Sequence, residues 1–259
     1  MTAPDAVEPH LTIVVPAYQE GEAILPGLRR ILGAVQTPAE ILVVVDSADD
    51  STAAPVRALA ETEASVRVAV NDYGRGPANA IRYGIHQAIA PIVVVTMADG
   101  CDDPRQIDEL ARLVDRGVVV AAASRYMPGG QQVGGGRFKT FLSRTAGRTL
   151  HTFANIGTRD ATNSFKAYRR SFVTDVGIDS RDGFEIGLEL TAKARRLRLP
   201  VAEIPTIWLD RTEGASNFKV LKWLPKYLRW YRFAFGGRLT LDQLVAKTTD
   251  PATTQGASS

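Results

Sequence analysis

Five short runs of apolar, largely β-branched residues constrain this chain more than anything else in it: LTIVVP (11–16), EILVVVD (40–46), VRVAV (66–70), IVVVTM (92–97) and VVVAAAS (118–124). They carry almost no polar alternation. A strand with one solvated face alternates, whereas a continuous apolar run suits a strand buried on both faces, as in a largely parallel sheet. Between the runs lie stretches with helical spacing, at 21–35, 52–63, 77–89 and 104–115. Strand and helix in alternation define a doubly wound α/β unit, in which ligands bind beyond the carboxyl ends of the strands. The segments that follow the runs, PAYQE, DSADD, NDYGRG, MADGCDD and SRY, become the places to look for chemistry.

With 259 residues, 45% of them hydrophobic, the chain can bury a substantial core. A net charge of +3 suits anionic ligands without requiring nucleic acid. The single cysteine, Cys101, excludes an intrachain disulfide and fits a reducing, cytoplasmic setting. MTAPDAVEPH has neither a basic nor an apolar leader region, and no apolar run approaches the roughly 18 residues of a membrane span. Residues 1–9 read as a flexible start and 247–259 as a disordered tail, leaving 10–236 as a single domain divided at about 126 into two halves.

The second half reads differently. MPGGQQVGGG (127–136) is a connector or a lid. A helical pattern over 137–157 gathers Phe138, Phe141, Leu142, Leu150 and Phe153, with Lys139, Arg144 and Arg148 interspersed. Another helix is expected over 184–197, then a strand in AEIPTIWL. In 218–235, Lys219, Lys222, Lys226 and Arg229 fall at helical spacing among large aromatics. Pro225 should kink that segment or begin a second helix. Both 137–157 and 218–235 are candidates for peripheral contact with a membrane, the alternative being helices packed on the core with a solvated basic face.

No GxGxxG follows the first strand, which argues against a dinucleotide-binding dehydrogenase. The ordered set VVPAYQE, EILVVVDSADDST, GRGPANAIRYG, MADGCDDP, SRYMPGG and DATNSFKAYRR instead resembles the inverting glycosyltransferases of family 2, nearest to the dolichol-phosphate and polyprenyl-phosphate sugar transferases. The resemblance covers about residues 11–219. It implies a GT-A fold, a nucleotide-diphosphate sugar donor (GDP- or UDP-linked), a polyprenyl phosphate acceptor and a divalent cation, Mg²⁺ or Mn²⁺. A soluble enzyme acting on a small-molecule hydroxyl is the alternative, and a nucleotide-sugar-binding protein without catalysis a third reading.

On that resemblance Pro16, Ala17, Tyr18 and Glu20 meet the nucleotide, with Tyr18 stacking on a base and Glu20 accepting hydrogen bonds. Asp46 takes the place of the base- or ribose-binding aspartate. Arg75 and Gly76 lie near base or phosphate, and Ala98 and Asp99 near the diphosphate. The family's Asp-x-Asp pair falls on Met97 and Asp99, and its next ligand on Cys101. A thioether and a thiol are poor partners for hard cations. Asp99 is therefore the metal ligand, Asp102 the candidate second ligand, and Met97 the closing residue of its strand. Asp103, Pro104 and Gln106 read as the cap, first and third positions of the next helix. The acceptor phosphate is assigned to Arg125, Lys139, Arg144, Arg211 and Ser216, with Asn217 where the family often has lysine. A lipid phosphate is already anionic and needs no general base. A hydroxyl acceptor needs one, and Asp182 or Glu185 is placed to serve, unless both merely cap their helix.

Overall fold

The computed structural model describes residues 8–210 and 220–249. In chain order the elements are β1 (Leu11–Ala17), α1 (Leu25–Ala34), β2 (Ala39–Val45), α2 (Ala53–Ala60), β3 (Val66–Val70), α3 (Pro77–Gln87), β4 (Ile92–Val95), α4 (Ile107–Asp115) and β5 (Val120–Ser124). There follow β6 (Gln131–Val133), α5 (Arg137–Thr149), β7 (Lys166–Arg169), α6 (Arg170–Val176), α7 (Ile186–Leu197), β8 (Val201–Pro205), β9 (Ile207–Leu209), α8 (Val220–Ala234) and α9 (Leu241–Thr249).

Seven strands form one sheet in the order β3-β2-β1-β4-β7-β5-β8. All neighbours are parallel except β7, which runs antiparallel between β4 and β5. The apolar runs account for this placement. Successive residues point to opposite faces, so Ile13, Val15, Val43, Val45 and Val94 meet α1, α2 and α4 on one side. Val14, Leu42, Val44, Val93 and Val95 meet α3, α6, α7 and α9 on the other. Gly84 lets α3 lie close on the sheet, because a Cβ there would collide with the Val14 side chain.

Four expectations change. β4 ends at Val95, so Met97 is not the end of the strand; it is half-buried in the turn beyond. The glycine-rich segment contains β6, which pairs in parallel with β9, so AEIPTIWL is two strands in two sheets. They divide at Thr206, whose N–H bonds Ser124 O while its carbonyl accepts from Gln131 N. α8 runs through Pro225 as one helix, so no second helix begins there, at the cost of one intrahelical hydrogen bond. Finally, folded chain continues past 236: α9 reaches Thr249 and buries Leu244 completely against the α6–α7 side, so the expected tail does not begin at 247.

The expected long helix over 137–157 is α5 followed by a π-helical turn, Leu150–Ala154. It turns only its end inward: Leu150 and Ala154 pack with Leu188, Ala192, Trp230 and Ala234, while Phe138, Phe141 and Phe153 face outward.

Candidate functional site

The carboxyl ends of β1, β2, β4 and β5 open on one edge of the sheet, and the antiparallel β7 begins at that same edge. At the end of β1 the chain turns through Gln19, which sits at φ 56°. Asp50 holds this turn: its carboxylate accepts from Gln19 N at 3.1 and 3.2 Å and from Thr52 N at 2.9 Å. Glu20 N donates to Thr52 Oγ1 at 3.0 Å. Pro16 and Ala17 are inside the strand, and Tyr18 stands 61% exposed, its ring open to a stacking partner.

Asp46, the first residue after β2, organises the neighbouring loop. Its carboxylate accepts from Asn71 Nδ2 at 3.2 Å and from Gly76 N at 3.0 Å. Gly76 is at φ 114°, beyond the reach of an ordinary side-chain residue. Arg75 beside it is exposed. Asp46 and the Arg75–Gly76 turn are therefore brought together.

After β4, the two acidic candidates differ in their surroundings. Asp99 is half-buried and accepts from Cys101 N at 3.1 Å, closing a tight turn through Gly100 at φ 70°. Ala98 is half-buried beside it. Asp102 is buried, and its Oδ2 accepts from Thr96 Oγ1 at 2.9 Å and from Met97 N at 3.2 Å. Burial, and next the charge of Asp99, raise its pKa to about 6. No hydrogen bond from the described residues reaches its Oδ1. Cys101 is buried and offers no hard ligand. Among the described residues no group of three or more His, Cys, Asp or Glu side chains is arranged as a metal cage. Two carboxylates that repel one another, one with an uncommitted oxygen, still fit a hard cation that takes its remaining ligands from water and a diphosphate. Asp103 caps the next helical turn, accepting from Arg105 N, with Pro104 following it. Gln106 does not complete a capping box; it donates to Pro205 O at 2.6 Å.

At the end of β5, Arg125 meets Asp160 with both arms of its guanidinium: Nε to Oδ2 at 2.7 Å and Nη2 to Oδ1 at 2.9 Å. Arg125 N also donates to Oδ2, at 3.0 Å. Burial alone would push the Asp160 pKa up, but Arg125 outweighs it and holds the carboxyl below its usual range. Lys166 lies directly below, fully buried, and its Nζ donates to the carbonyls of Asp160, Ala161 and Asn163. Burial lowers its pKa to about 7, against the opposing pull of Asp160. Tyr126 is covered by two cations, Arg125 at 5.0 Å and Arg144 at 5.6 Å from its ring centre.

The family model described as Glycosyl transferase family 2 matches residues 12–177. The chain belongs to that family. It is a glycosyltransferase of GT-A fold. It is 28% identical over 231 residues to polyprenol monophosphomannose synthase of Mycolicibacterium smegmatis, covering 82% of this chain and 85% of that one. It is 29% identical to dolichol-phosphate mannosyltransferase of Pyrococcus furiosus, covering 85% of this chain but 62% of that one, less than two thirds of its length. Among solved structures, glucosyl-3-phosphoglycerate synthase of Mycobacterium tuberculosis with Mn²⁺, UDP-glucose and phosphoglyceric acid superimposes with a TM-score of 0.64 at 16% identity, over 90% of this chain and 82% of that one. A mannosyltransferase of Pyrobaculum calidifontis with GDP-Man and Mn²⁺ gives 0.59 at 19%, over 98% of this chain and 73% of that one.

In this glycosyltransferase the expected acceptor residues do not all gather. Arg125 is committed to Asp160, Arg144 to the face of Tyr126, and Lys139 lies half-buried in the first turn of α5. Arg211, Ser216 and Asn217 lie outside the described residues, as does Lys219. Asp182 pairs with Lys226 at 2.5 Å, which ties the approach to α7 onto α8. Glu185 is buried at the start of α7, accepts from Gly183 N at 3.0 Å, and has its pKa raised by burial and then by Asp182. Of the expected basic stripe, Lys226 is paired and Arg229 stacks on Trp230 at 4.7 Å. Trp230 itself is buried, its Nε1 donating to Ser180 Oγ at 3.0 Å.

Asp50, Thr96, Asp160 and Lys166 were not assigned a role from sequence. For Asp160 and Lys166 a signal was available, since both are ionisable residues inside the DATNSFK segment that the resemblance itself singles out.

Proposed function

We propose that this glycosyltransferase moves a sugar, with inversion, from a GDP- or UDP-linked donor to a polyprenyl phosphate at the cytoplasmic face of a membrane. The single observation that carries the lipid acceptor is the outer face of α5 and the π-helical turn. There Phe138, Phe141 and Phe153 are 63%, 66% and 75% exposed on the element that also carries Arg144. Exposed aromatics beside a cation suit the boundary between acyl chains and phosphate headgroups. The named mannosyltransferase relatives support the same acceptor class.

In this reading Tyr18, Asp46 and the Arg75–Gly76 turn receive the nucleoside, with Pro16, Ala17 and Glu20 shaping its edge and Ala98 the diphosphate side. Asp99, with Asp102 through its Oδ1, would hold Mg²⁺ or Mn²⁺ together with the donor diphosphate. The cation, when bound, neutralises charge gathering on the leaving diphosphate. Arg125, fixed by Asp160, keeps a permanent positive charge beside the acceptor, and Lys139, Arg144, Arg211 and Ser216 complete the phosphate side. An acceptor phosphate oxygen attacks the anomeric carbon as the carbon–oxygen bond to the diphosphate breaks, so an α-linked donor gives a β-linked product.

One observation favours a second acceptor class. Glu185 is buried with a raised pKa, a state suited to taking a proton from a hydroxyl, and Asp182 stands three residues away. A soluble, hydroxyl-bearing small molecule would use that base.

The deciding experiment incubates the full chain with labelled GDP-mannose or UDP-glucose, Mn²⁺ and a short-chain polyprenyl phosphate in detergent. Label in the lipid phase, lost with chelator and in Asp99→Ala, is expected. Label appearing only in water-soluble products would refute the lipid acceptor, and full transfer in chelator would refute the metal.

A further inference from the structure

We infer a second anion site, distant from the sheet edge that carries the chemistry and built to take a small phosphate-bearing anion. It is a cavity of about 540 Å³ at the end of α7, between the π-helical turn, the first residue of β8 and the α8–α9 connection. Val201 lies in its wall at the amino end of β8, so the cavity opens at the opposite end of the sheet from Asp99 and Arg125. Three arginines from two parts of the chain line it: Arg195 and Arg198 at the end of α7, and Arg238 after α8. No carboxylate does. Glu203, further along β8, is taken up by Thr158 and Arg159.

Arg198 and Arg238 are exposed, and arginine side chains lining one concave space offer planar forks that match phosphate oxygens. Arg195 is held in place, its Nε donating to Ala154 O at 2.6 Å and its Nη1 to Gly236 O. Among the described residues, no hydrogen bond or ion pair reaches the guanidinium of Arg198 or of Arg238.

The backbone supplies an independent observation. Among the described residues three other than glycine have positive φ, and two of them, Asn155 at 52° and Arg198 at 57°, line this cavity. Arg198 is the left-handed cap of α7, where Arg198 N bonds Arg195 O and Leu199 N bonds Ala194 O. Glycine occupies that position of a helix end without steric cost, and arginine does not. An arginine is thus kept at a strained position in the cavity wall, and the two N–H groups of this cap are taken up by the carbonyls of Arg195 and Ala194. A volume of this size accommodates a phosphate ester or diphosphate.

The test is calorimetric titration of the full chain with pyrophosphate in the presence of chelator. Wild type is expected to show one saturable event. Arg198→Gly combined with Arg238→Ser should weaken it about tenfold or more, through lost charge-assisted hydrogen bonds. The same variant should melt no lower than wild type, because glycine relieves the cap. Arg144→Ala, at the proposed acceptor phosphate, should bind as wild type does. Absence of saturable binding, equal binding in the arginine variant, or loss in Arg144→Ala alone would overturn the site, the last by placing the anion with the proposed acceptor residues. A second arm sediments both proteins with phosphatidic acid vesicles. Loss confined to the arginine variant assigns the site to a lipid headgroup, and equal sedimentation with variant-dependent pyrophosphate binding assigns it to a soluble anion.

Discussion

Arg125 and Asp160 form a two-armed ion pair, Nε to Oδ2 at 2.7 Å and Nη2 to Oδ1 at 2.9 Å, with the carboxylate completely buried and the guanidinium 13% exposed. The pair joins the end of β5 to the loop before β7, and Lys166 grips that loop from beneath. A positive charge is thereby fixed at the sheet edge with little freedom to move away.

Removing one partner leaves the other buried and uncompensated. Asp160→Asn is expected to lower stability by about 3–5 kcal/mol, measured by urea unfolding. Transfer activity should fall on the order of 100-fold through misplacement of Arg125. A change in either quantity no larger than that of an exposed substitution would contradict this role.

Asp102 makes stability depend on pH. Its folded-state pKa is raised to about 6 from 3.8, so the protonated form is favoured in the fold. Its contribution is complete below about pH 4 and is lost as pH rises through about 6. Without metal, Asp102→Asn should therefore gain stability relative to wild type between pH 4 and 7, by up to about 3 kcal/mol. Mn²⁺ should narrow that difference by favouring the ionised carboxylate, and thermal melts with and without Mn²⁺ would show it.

Lys166 acts in the opposite sense over a different range. Its folded-state pKa is lowered to about 7 from 10.5, so the unfolded chain binds the extra proton between those values and stability rises with pH across them. Lys166→Met should flatten the rise between pH 7 and 9 in chemical denaturation. A slope identical to wild type would show that the pKa of Lys166 is not lowered in the fold.

The exposed aromatics allow the proposed membrane contact to be tested apart from folding. Replacing Phe138, Phe141 and Phe153 together with serine should leave the unfolding free energy within about 0.5 kcal/mol per site, since none is buried. Sedimentation with phosphatidylglycerol vesicles should fall to the level seen without vesicles. Undiminished sedimentation would move the contact elsewhere on the molecule.

How much of this was legible beforehand depended on the distance over which each feature is decided. Asp103 capping a turn before Pro104 could be read because donor and acceptor lie two residues apart. Asp46 could be placed because it follows a strand whose burial is written in EILVVV. Met97 was assigned to the strand because its hydrophobicity continues the run, yet pairing with β7 stops at Val95 and the chain turns to follow Asp102. Pro225 was expected to kink its segment or begin a second helix; the structure keeps one helix through it, since a rule about one lost hydrogen bond does not include the packing of Trp230 and Ala234.

The sequence by itself determined the two-sided sheet and the edge where its polar loops gather, because strands covered on both faces must be apolar throughout and their polar continuations must emerge at the carboxyl ends. Only the tertiary structure decided what the charges at that edge do. Inserting β7 antiparallel between β4 and β5 carries Asp160 to Arg125 across 35 residues and buries Lys166 under both. No local pattern encodes such pairings, since a buried ionisable group is stable only in the company of partners the fold brings to it.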